Sequence, residues 1–316
     1  MSSLRMPAVG VALPMLDEID RHGVPDIAAA ARHAEQLGFD SVRVADLVLG
    51  DGSPALDTTV TAAVAAAATS TVRVLFGVRV ALSQPAVQLA SQIATLQHLS
   101  ANRVVLGLGA GGMPRAPYWK ALGESGEHRG GRLESVLRVL PGLVAGESTP
   151  CADVPDSPRV RLAPGAEVPP ILVGGGSAAA VRRAATLADG WLPSTLTAEE
   201  LADGVRSLRR QAAGAGRPDP SVVVAGGCVP GDDAAARGTR EAFVRRLAEG
   251  YGRPPEVAAR IPLSGTARQI AEGLADYARA GADEISVAVV TDGDWFAAAE
   301  AVAEARSLLA GALLPT

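Results

Sequence analysis

The stretch ILVGGGSAAAVRRAATLADGW, residues 171–191, contains a strand, a turn, a helix and the start of a second strand. The apolar residues at its start predict a buried strand, and the three glycines at 174–176 predict a tight turn. Ser177 is a preferred N-cap residue for the Ala-rich helix that follows. A strand, a helix and a strand in close succession predict two parallel strands joined by a helical crossover.

The same alternation of strand and helix patterns extends from this stretch toward both ends of the chain. Near-continuous apolar runs are typical of parallel strands that are buried on both faces. A closed (β/α)8 barrel and an open, doubly wound sheet both produce this pattern, because the number of strands does not by itself prove closure. The predicted strands are residues 9–13, 40–45, 72–80, 103–109, 170–175, 190–194, 222–226 and 284–290.

Helices are predicted between these strands, and three further segments are inserted into the alternation. Residues 112–127 follow the fourth strand, and the proline-containing residues 251–264 precede the last βα unit. Long loops after strands belong on the C-terminal face of a barrel. Residues 146–168 instead lead from a helix into a strand, so we expect them on the opposite face. The predicted helices are residues 26–37, 86–99, 177–188, 266–280 and 295–311.

The overall composition excludes several classes of protein. Hydrophobic residues make up 48% of the chain and charged residues 20%, as in globular proteins. A net charge of −5 argues against a nucleic-acid partner, which would need a basic face. No apolar run of about 18 residues occurs, so we expect no membrane partner. Residues 1–14 lack the apolar core of a signal peptide, and we expect a cytoplasmic protein.

The cysteines and histidines do not have the spacing of metal ligands, so we expect no metal site. Two cysteines are also too few for a disulfide framework. One histidine, His128, lies at the end of a predicted loop on the C-terminal face of the barrel, next to Arg129. Both residues are candidates for acid–base chemistry or substrate contacts. An exposed position at the start of a helix is the alternative interpretation of His128. The residues considered are Cys151, Cys228, His22, His33, His98 and His128.

Gly174, Gly175, Gly176 and Ser177 form the most distinctive local pattern. Glycines allow backbone N–H groups to approach an anion, and the N-terminus of a helix adds a favourable partial positive charge. This pattern favours a phosphate-binding turn. A tight strand-to-helix turn without a ligand is the alternative.

A second glycine cluster, GLGAGG at 107–112, follows the fourth strand. It lacks the full G-x-G-x-x-G register followed by a helix and an acidic residue, so it does not indicate a dinucleotide motif. Gly107 and Gly109 would suit a strand end where a ligand ring lies flat against bare backbone. A glycine-rich exit loop is the alternative.

Two arginines interrupt apolar strands, Arg43 in DSVRVAD and Arg79 in FGVRVAL. A buried charge without a partner is costly, so each needs an anion or a solvent-exposed strand end. In one interpretation, one or both arginines face an anion of a cofactor or substrate. In the other, each forms a salt bridge with an acidic residue of a covering helix. By strand alternation Arg43 and Asp46 point to opposite faces and are not an obvious pair.

Five segments of the chain together resemble the luciferase-like monooxygenase superfamily, and within it the coenzyme F420-dependent oxidoreductases. The resemblance covers nearly the whole chain in the right order. It implies one closed TIM-like (β/α)8 barrel domain over residues 1–316, with insertions in the βα loops. The segments are GFDSVRVAD (38–46), QPAVQLASQIATLQHLSANRVVLGLGAGG (84–112), HRGGRLESVL (128–137), PPILVGGGSAAAVRRAATLADGWLP (169–193) and SGTARQIAEGLADYARAGADEISV (264–287).

The resemblance implies a deazaflavin or flavin, F420 or FMN, across the C-terminal ends of the strands. The phosphate of that cofactor would bind at Gly174–Ser177. A bulge with a non-prolyl cis peptide is implied in the third strand, and we assign it to Gly77–Val78. These two residues, with Gly107 and Gly109, would line the cofactor ring. The resemblance also implies a homodimer.

The sequence departs from the family pattern at two places. Many F420-dependent members carry Asp-His at the end of the second strand, where the histidine assists proton transfer, but here the pair is Asp46-Leu47. A glutamate that the family carries after the fourth strand has no counterpart in GLGAGG. We therefore expect reduction of an activated C=C or C=N bond, or a flavin-assisted oxygenation. The candidate catalytic residues are Asp46, Arg79, His128 and Arg129.

Three functional hypotheses follow. The first is an F420-dependent oxidoreductase that transfers hydride to or from a small organic substrate. The second is an FMN-dependent monooxygenase that receives reduced flavin from a separate reductase, and the third is a non-catalytic flavin-binding barrel. Residues 112–127, with Met113, Tyr118 and Trp119, are expected to cover the pocket; anchoring of the loop by Tyr118 and Trp119 is the alternative.

Overall fold

The fold is a closed parallel barrel. The computed structural model describes residues 6–16, 18–112, 116–124, 126–151 and 156–314. Its strands are β1 (Ala8–Ala12), β2 (Ser41–Val44), β3 (Arg73–Val80), β4 (Val104–Gly109), β5 (Thr149–Pro150), β6 (Arg159–Val160), β7 (Ile171–Gly174), β8 (Gly190–Leu192), β9 (Ser221–Pro230), β10 (Leu263–Gly265) and β11 (Glu284–Val289).

Eight of these strands form the barrel, in the order β1-β2-β3-β4-β7-β8-β9-β11, and β11 returns to β1. The ring is closed by the parallel pairing of β8 with β9, in which Gly190 lies opposite Ser221. The (β/α)8 barrel is therefore confirmed, and the open, doubly wound sheet is wrong. The short strand β10 adds to the far edge of β9.

Helices lie between the barrel strands, and the five predicted helices are present with ends that differ by at most two residues. Their N-caps follow the sequence signals: the side chains of Asp26, Ser177 and Thr266 each accept a hydrogen bond from a first-turn N–H. The helices are α1 (Glu18–His22), α2 (Ile27–Gln36), α3 (Thr58–Ala68), α4 (Ala86–Ser100), α5 (Ala116–Ala121), α6 (Arg129–Val144), α7 (Ala178–Leu187), α8 (Ala198–Gly214), α9 (Ala234–Tyr251), α10 (Pro255–Ala258), α11 (Ala267–Arg279) and α12 (Trp295–Leu313).

The described parts of the inserted segment 146–168, residues 146–151 and 156–168, lie on the N-terminal face of the barrel, as expected. It forms the two-stranded antiparallel pair β5–β6, and Gln97, at the end of α4, donates to the backbone oxygen of Glu167 at 2.8 Å. Helix α4 leads directly into the start of β4, so this contact lies at the end of the barrel opposite the strand C-termini. None of the described helices is long and apolar enough to span a membrane.

The barrel interior has an apolar side and a polar side. The polar side lies on β1, β2 and β11, where the buried Glu284 accepts hydrogen bonds from Ser41 and, at 2.8 Å, from Arg73. Gly10 makes room for this group, because a Cβ there would lie 2.1 Å from the Ser41 hydroxyl oxygen. The apolar side is formed by Leu75, Val105, Leu172, Leu192, Val223 and Ala225.

Candidate active site

The third barrel strand contains a bulge at its C-terminal end. The register of β3 against β4 shifts between Phe76, opposite Leu106, and Arg79, opposite Leu108. The peptide Gly77–Val78 within this bulge is cis, which confirms the position assigned from the sequence. One extra residue on β3 changes which face each following side chain occupies. Val78 consequently packs against the apolar interior cluster, on the same side as Leu75.

Val78 is surrounded by bare backbone from the two neighbouring strands. A Cβ on Gly109 would lie 2.7 Å from Val78 Cγ2, and a Cβ on Gly174 would lie 2.5 Å from Val78 Cγ1. Gly107 lies deeper, where a Cβ would meet the backbone oxygen of Phe76 at 2.2 Å. The glycines thus let three strand ends converge on one apolar, half-buried side chain.

The glycine turn after β7 lies at the same end of the barrel. Gly175 has a φ of +107°, a conformation that side-chain-bearing residues rarely adopt. Its carbonyl accepts a hydrogen bond from the Trp191 indole at 2.8 Å, and its N–H donates to Leu192 at 3.3 Å. These two contacts fix the backbone of Gly175. Gly176 and Ser177 are exposed to solvent.

This turn has the properties of an anion site. The Ser177 hydroxyl accepts from the N–H of Ala180 at 3.2 Å, while the N–H groups of Ala178 and Ala179, in the first turn of α7, have no intrahelical acceptor. A phosphate at this position would receive those N–H groups and the positive end of the helix dipole. The residues present therefore fit the phosphate of a flavin or deazaflavin.

Asp46 and Arg79 form a buried ion pair. Asp46 also accepts from the N–H of Val80 at 3.0 Å and donates its own N–H to the Val78 oxygen at 3.1 Å. Arg79 in addition donates to Gln84 at 3.2 Å. A salt bridge for Arg79 was one of the two expectations, but its partner is the end of β2, not a covering helix. The pair fastens the end of β2 to β3 just beyond the bulge.

Helix α5 covers the part of the barrel mouth beside this ion pair. Trp119 is buried against Gly111, where a Cβ would lie 2.7 Å from its ring, and this agrees with a role as an anchor. Tyr118 is half-buried over Gly50. Burial, and secondly the charge of Asp46, raise the pKa of Tyr118, against the opposing effect of Arg79. Met113, which was expected in the same cover, lies outside the described residues.

His128 and Arg129 lie at the start of α6, beside α5. His128 is exposed and has a φ of 49°, immediately before α6, as in the alternative interpretation of this residue. The Arg129 guanidinium lies 5.9 Å from the centre of the Trp119 ring. The four candidate catalytic residues therefore form two groups: Asp46 with Arg79, and His128 with Arg129 next to α5.

Arg43 does not form the expected salt bridge with a covering helix. Its Nε donates to the Ser286 hydroxyl at 2.9 Å, and its Nη1 lies 3.4 Å from the Gly77 oxygen. The salt-bridge expectation is thus wrong for Arg43, because the side chain turns into the barrel. Sequence reasoning missed Ser286, although Glu284 and Ser286 alternate in an otherwise apolar strand, and this alternation marks a polar inner face.

The chain belongs to the luciferase-like monooxygenase family, whose family model matches residues 12–284. Uncharacterized proteins of Mycobacterium bovis and Mycobacterium tuberculosis are 33% identical over 211 residues, which cover 60% of this chain and 72% of each relative. Among solved structures, an F420-dependent secondary alcohol dehydrogenase in complex with an F420–acetone adduct is similar, with a TM-score of 0.81, 15% identity, and coverage of 98% of this chain and 100% of that one. A monooxygenase from Streptomyces bottropensis has a TM-score of 0.78, 22% identity, and coverage of 98% and 99%. At these identities the two structures establish the fold alone.

Proposed function

We propose that this protein is an oxidoreductase that uses the deazaflavin F420 for hydride transfer to or from a small organic substrate. The observation that carries the proposal is the placement of two features at one end of the barrel. One is the open turn Gly174–Ser177 at the start of α7, and the other is the bulge at Val78. A Cβ on Gly174 would touch Val78, so the anion site and the apolar surface adjoin one another.

The chain would contribute binding and orientation to this chemistry. Backbone N–H groups at the turn would bind the phosphate, and the surface around Val78 and Gly109 would support one face of the ring. When bound, F420 supplies the two-electron hydride chemistry. The Asp46–Arg79 pair would keep the bulge in place, because Asp46 donates its N–H to the Val78 oxygen and accepts the N–H of Val80 while its carboxylate pairs with Arg79.

The proton-transfer groups near the bulge restrict the reaction. Leu47 stands where many F420-dependent relatives carry a histidine, and Asp46 is engaged by Arg79. Tyr118, in α5, packs over Gly50 in the segment that follows β2 and Asp46, and burial raises its pKa, which keeps the hydroxyl protonated. We propose it as an additional proton donor. This arrangement favours reduction of an activated C=C or C=N bond over dehydrogenation of an alcohol.

An FMN-dependent monooxygenase is the second candidate, and membership of the luciferase-like monooxygenase family favours it. That reaction would need reduced flavin from a separate reductase. A non-catalytic flavin-binding barrel is the third candidate. In each case we propose a small-molecule ligand, a homodimer and a cytoplasmic location, with neither nucleic acid nor membrane as partner.

A parallel titration separates these functions. The purified protein is titrated with F420 and with FMN, oxidised and reduced, while absorbance, fluorescence and oxygen uptake are recorded. The F420 proposal predicts tighter binding of F420 than of FMN, and oxidation of reduced F420 by a panel of activated alkenes and imines without oxygen uptake. Oxygen consumption with reduced FMN would support the monooxygenase. Binding without turnover on any electrophile would support the non-catalytic barrel.

A further inference from the structure

Arg43 lies inside the barrel, beneath the bulge. Its Nε reaches the hydroxyl of Ser286 on β11, although β1 lies between β2 and β11 in the sheet order. A Cβ on Gly77 would lie 2.4 Å from Arg43 Cδ. Both contacts are made across the concave surface of the barrel, so the guanidinium points into the interior and not toward the helices.

The charge of Arg43 has no carboxylate counter-ion among the described residues. The nearby interior carboxylate, Glu284, has both oxygens engaged, one by the Ser41 hydroxyl and the other by Arg73. The two hydrogen-bond acceptors of Arg43 are a hydroxyl and a peptide carbonyl, and neither carries a charge. Burial lowers the pKa of Arg43 to about 10, against an opposing effect of Tyr251, so Arg43 is charged at neutral pH. Proteins seldom bury such a charge unless it has a use or a partner.

A small cavity of about 40 Å³ opens beside Arg43 at the C-terminal ends of β1, β2 and β11. Its volume suits a water molecule or the oxygens of one acidic group, and it is too small for a ring. Among the residues that line this cavity, Arg43 is the one with a positive charge. Glu18 also lines it, and its carboxylate accepts the N–H of Leu16 at 3.1 Å.

We infer that Arg43, oriented by Ser286, binds a negatively charged oxygen of the ligand in this barrel mouth. The inference rests on the proposed function in placing that ligand there. The oxygen has two possible sources: a carboxylate of the substrate, or the ring oxygen that shares the negative charge of a reduced flavin or deazaflavin. Either source would supply the counter-ion that the chain does not provide, and the Gly77 contact places the cation directly under the bulge.

The test uses Arg43→Met, which keeps the length of the side chain without its charge, with Arg43→Lys as the charge-retaining control. Folding is checked first by thermal melting. Arg43→Met removes a buried charge that has no counter-ion, but it also leaves the buried Ser286 hydroxyl without its donor. These opposing effects are expected to leave its melting temperature close to that of Arg43→Lys. A structural role would lower its melting temperature below that of Arg43→Lys.

The first arm of the test concerns the substrate. The cofactor-free protein is titrated with acetate and benzoate, and the Arg43 Nε–H signal is followed by NMR after its assignment through Arg43→Met. If a substrate carboxylate binds here, the chemical shift of the Arg43 Nε–H should change saturably with added anion. Glu18→Gln should increase the affinity for the anion, because the Glu18 carboxylate repels it. Calorimetric affinity for benzoate is expected to fall about tenfold or more in Arg43→Met and less in Arg43→Lys.

The second arm concerns the ring. The dissociation constants of oxidised and reduced FMN and F420 are compared in wild type and Arg43→Met. A ring contact predicts that the reduced form loses about tenfold more affinity than the oxidised form. The inference is overturned if Arg43→Met changes the affinity for benzoate by less than about twofold and also changes the ratio of reduced to oxidised cofactor affinity by less than about twofold. If the wild type binds neither cofactor, the proposed function fails, and the carboxylate arm alone then decides the role of Arg43.

Discussion

Val78 Cγ1 lies only 2.5 Å from the position that a Cβ on Gly174 would occupy. This contact joins the bulge of β3 to the first residue of the glycine turn, and Gly109 approaches Val78 in the same way. Because the interior below is already packed with Leu75, Leu172 and their neighbours, a new methyl group would push Val78 toward the mouth. Val78 would then occupy the surface on which the ring is proposed to lie.

Substitution of these glycines should therefore weaken cofactor binding more than it weakens the fold. Gly109→Ala and Gly174→Ala are each expected to raise the dissociation constant of F420 by about tenfold, which corresponds to about 1.4 kcal/mol. Gly226→Ala is the control, because a Cβ there would meet no atom within 4 Å. Equal affinities for all three variants would argue against a ring at Val78.

The turn itself can be tested through its helix cap. Ser177→Ala removes the acceptor of the Ala180 N–H, and loss of a cap costs about 1 kcal/mol in the free energy of unfolding. Thr266→Ala removes a comparable cap at the start of α11. We expect both variants to lose similar stability by urea denaturation, whereas only Ser177→Ala weakens F420 binding. Equal cofactor affinity in the two variants would place the phosphate elsewhere.

Loss of one member of the Asp46–Arg79 pair should lower the free energy of unfolding more than loss of both members. Asp46→Asn leaves the buried Arg79 guanidinium without its counter-ion, and breaking such a pair costs about 3–5 kcal/mol. The double variant Asp46→Asn/Arg79→Met, which removes both charges, is expected to be more stable than Asp46→Asn alone or Arg79→Met alone. Additive losses in urea denaturation would show that the two side chains act independently.

The hydrogen bonds to Glu35 predict that the free energy of unfolding depends on pH. Burial raises the pKa of its carboxyl, but hydrogen bonds from the N–H groups of Thr71, Val72 and Ser70 and from the Thr71 hydroxyl outweigh this, and the pKa falls from 4.5 to about 2. Since the folded pKa is depressed, the stabilisation is present above the unfolded pKa of 4.5 and is lost as the pH falls toward 2.

The matched variant is Glu35→Gln. All four hydrogen bonds go to Glu35 Oε1, and the amide oxygen of Gln can accept the same bonds without the charge. Because the group is partly exposed to solvent, we expect Glu35→Gln at pH 7 to be less stable than the wild type by about 1 kcal/mol or less. Urea denaturation at pH 7 and at pH 3 measures the difference, which should be smaller at pH 3. A difference that does not change between the two pH values would contradict the assigned hydrogen bonds.

Local patterns in the sequence were sufficient to predict the barrel strands, five helices and the Ser177 cap, because buried runs, helical spacing and cap residues act over a few positions. The position of the cis peptide came from the family resemblance. The pairing of Asp46 with Arg79 could not be predicted. Regular alternation along β3 would place Arg79 on the same face as Leu75 and Gly77, which is the interior face of the barrel. The bulge turns Val78 inward and Arg79 outward, toward Asp46. The uncompensated charge of Arg43 likewise became visible only when the partners of Glu284 were known.

The turn Gly174–Ser177 is proposed to bind the phosphate of a redox cofactor, and every other part of the proposed function depends on this contact. The most direct measurement compares the affinity of F420 with that of its deazaflavin chromophore lacking the phosphate and tail, in the wild type and in Gly175→Ala, whose φ of +107° an alanine disfavours. A phosphate bound at this turn predicts that F420 binds more tightly than the chromophore to the wild type, and that this preference falls about tenfold in Gly175→Ala. Equal affinity of the wild type for the two compounds, or a preference that Gly175→Ala leaves unchanged, would contradict it.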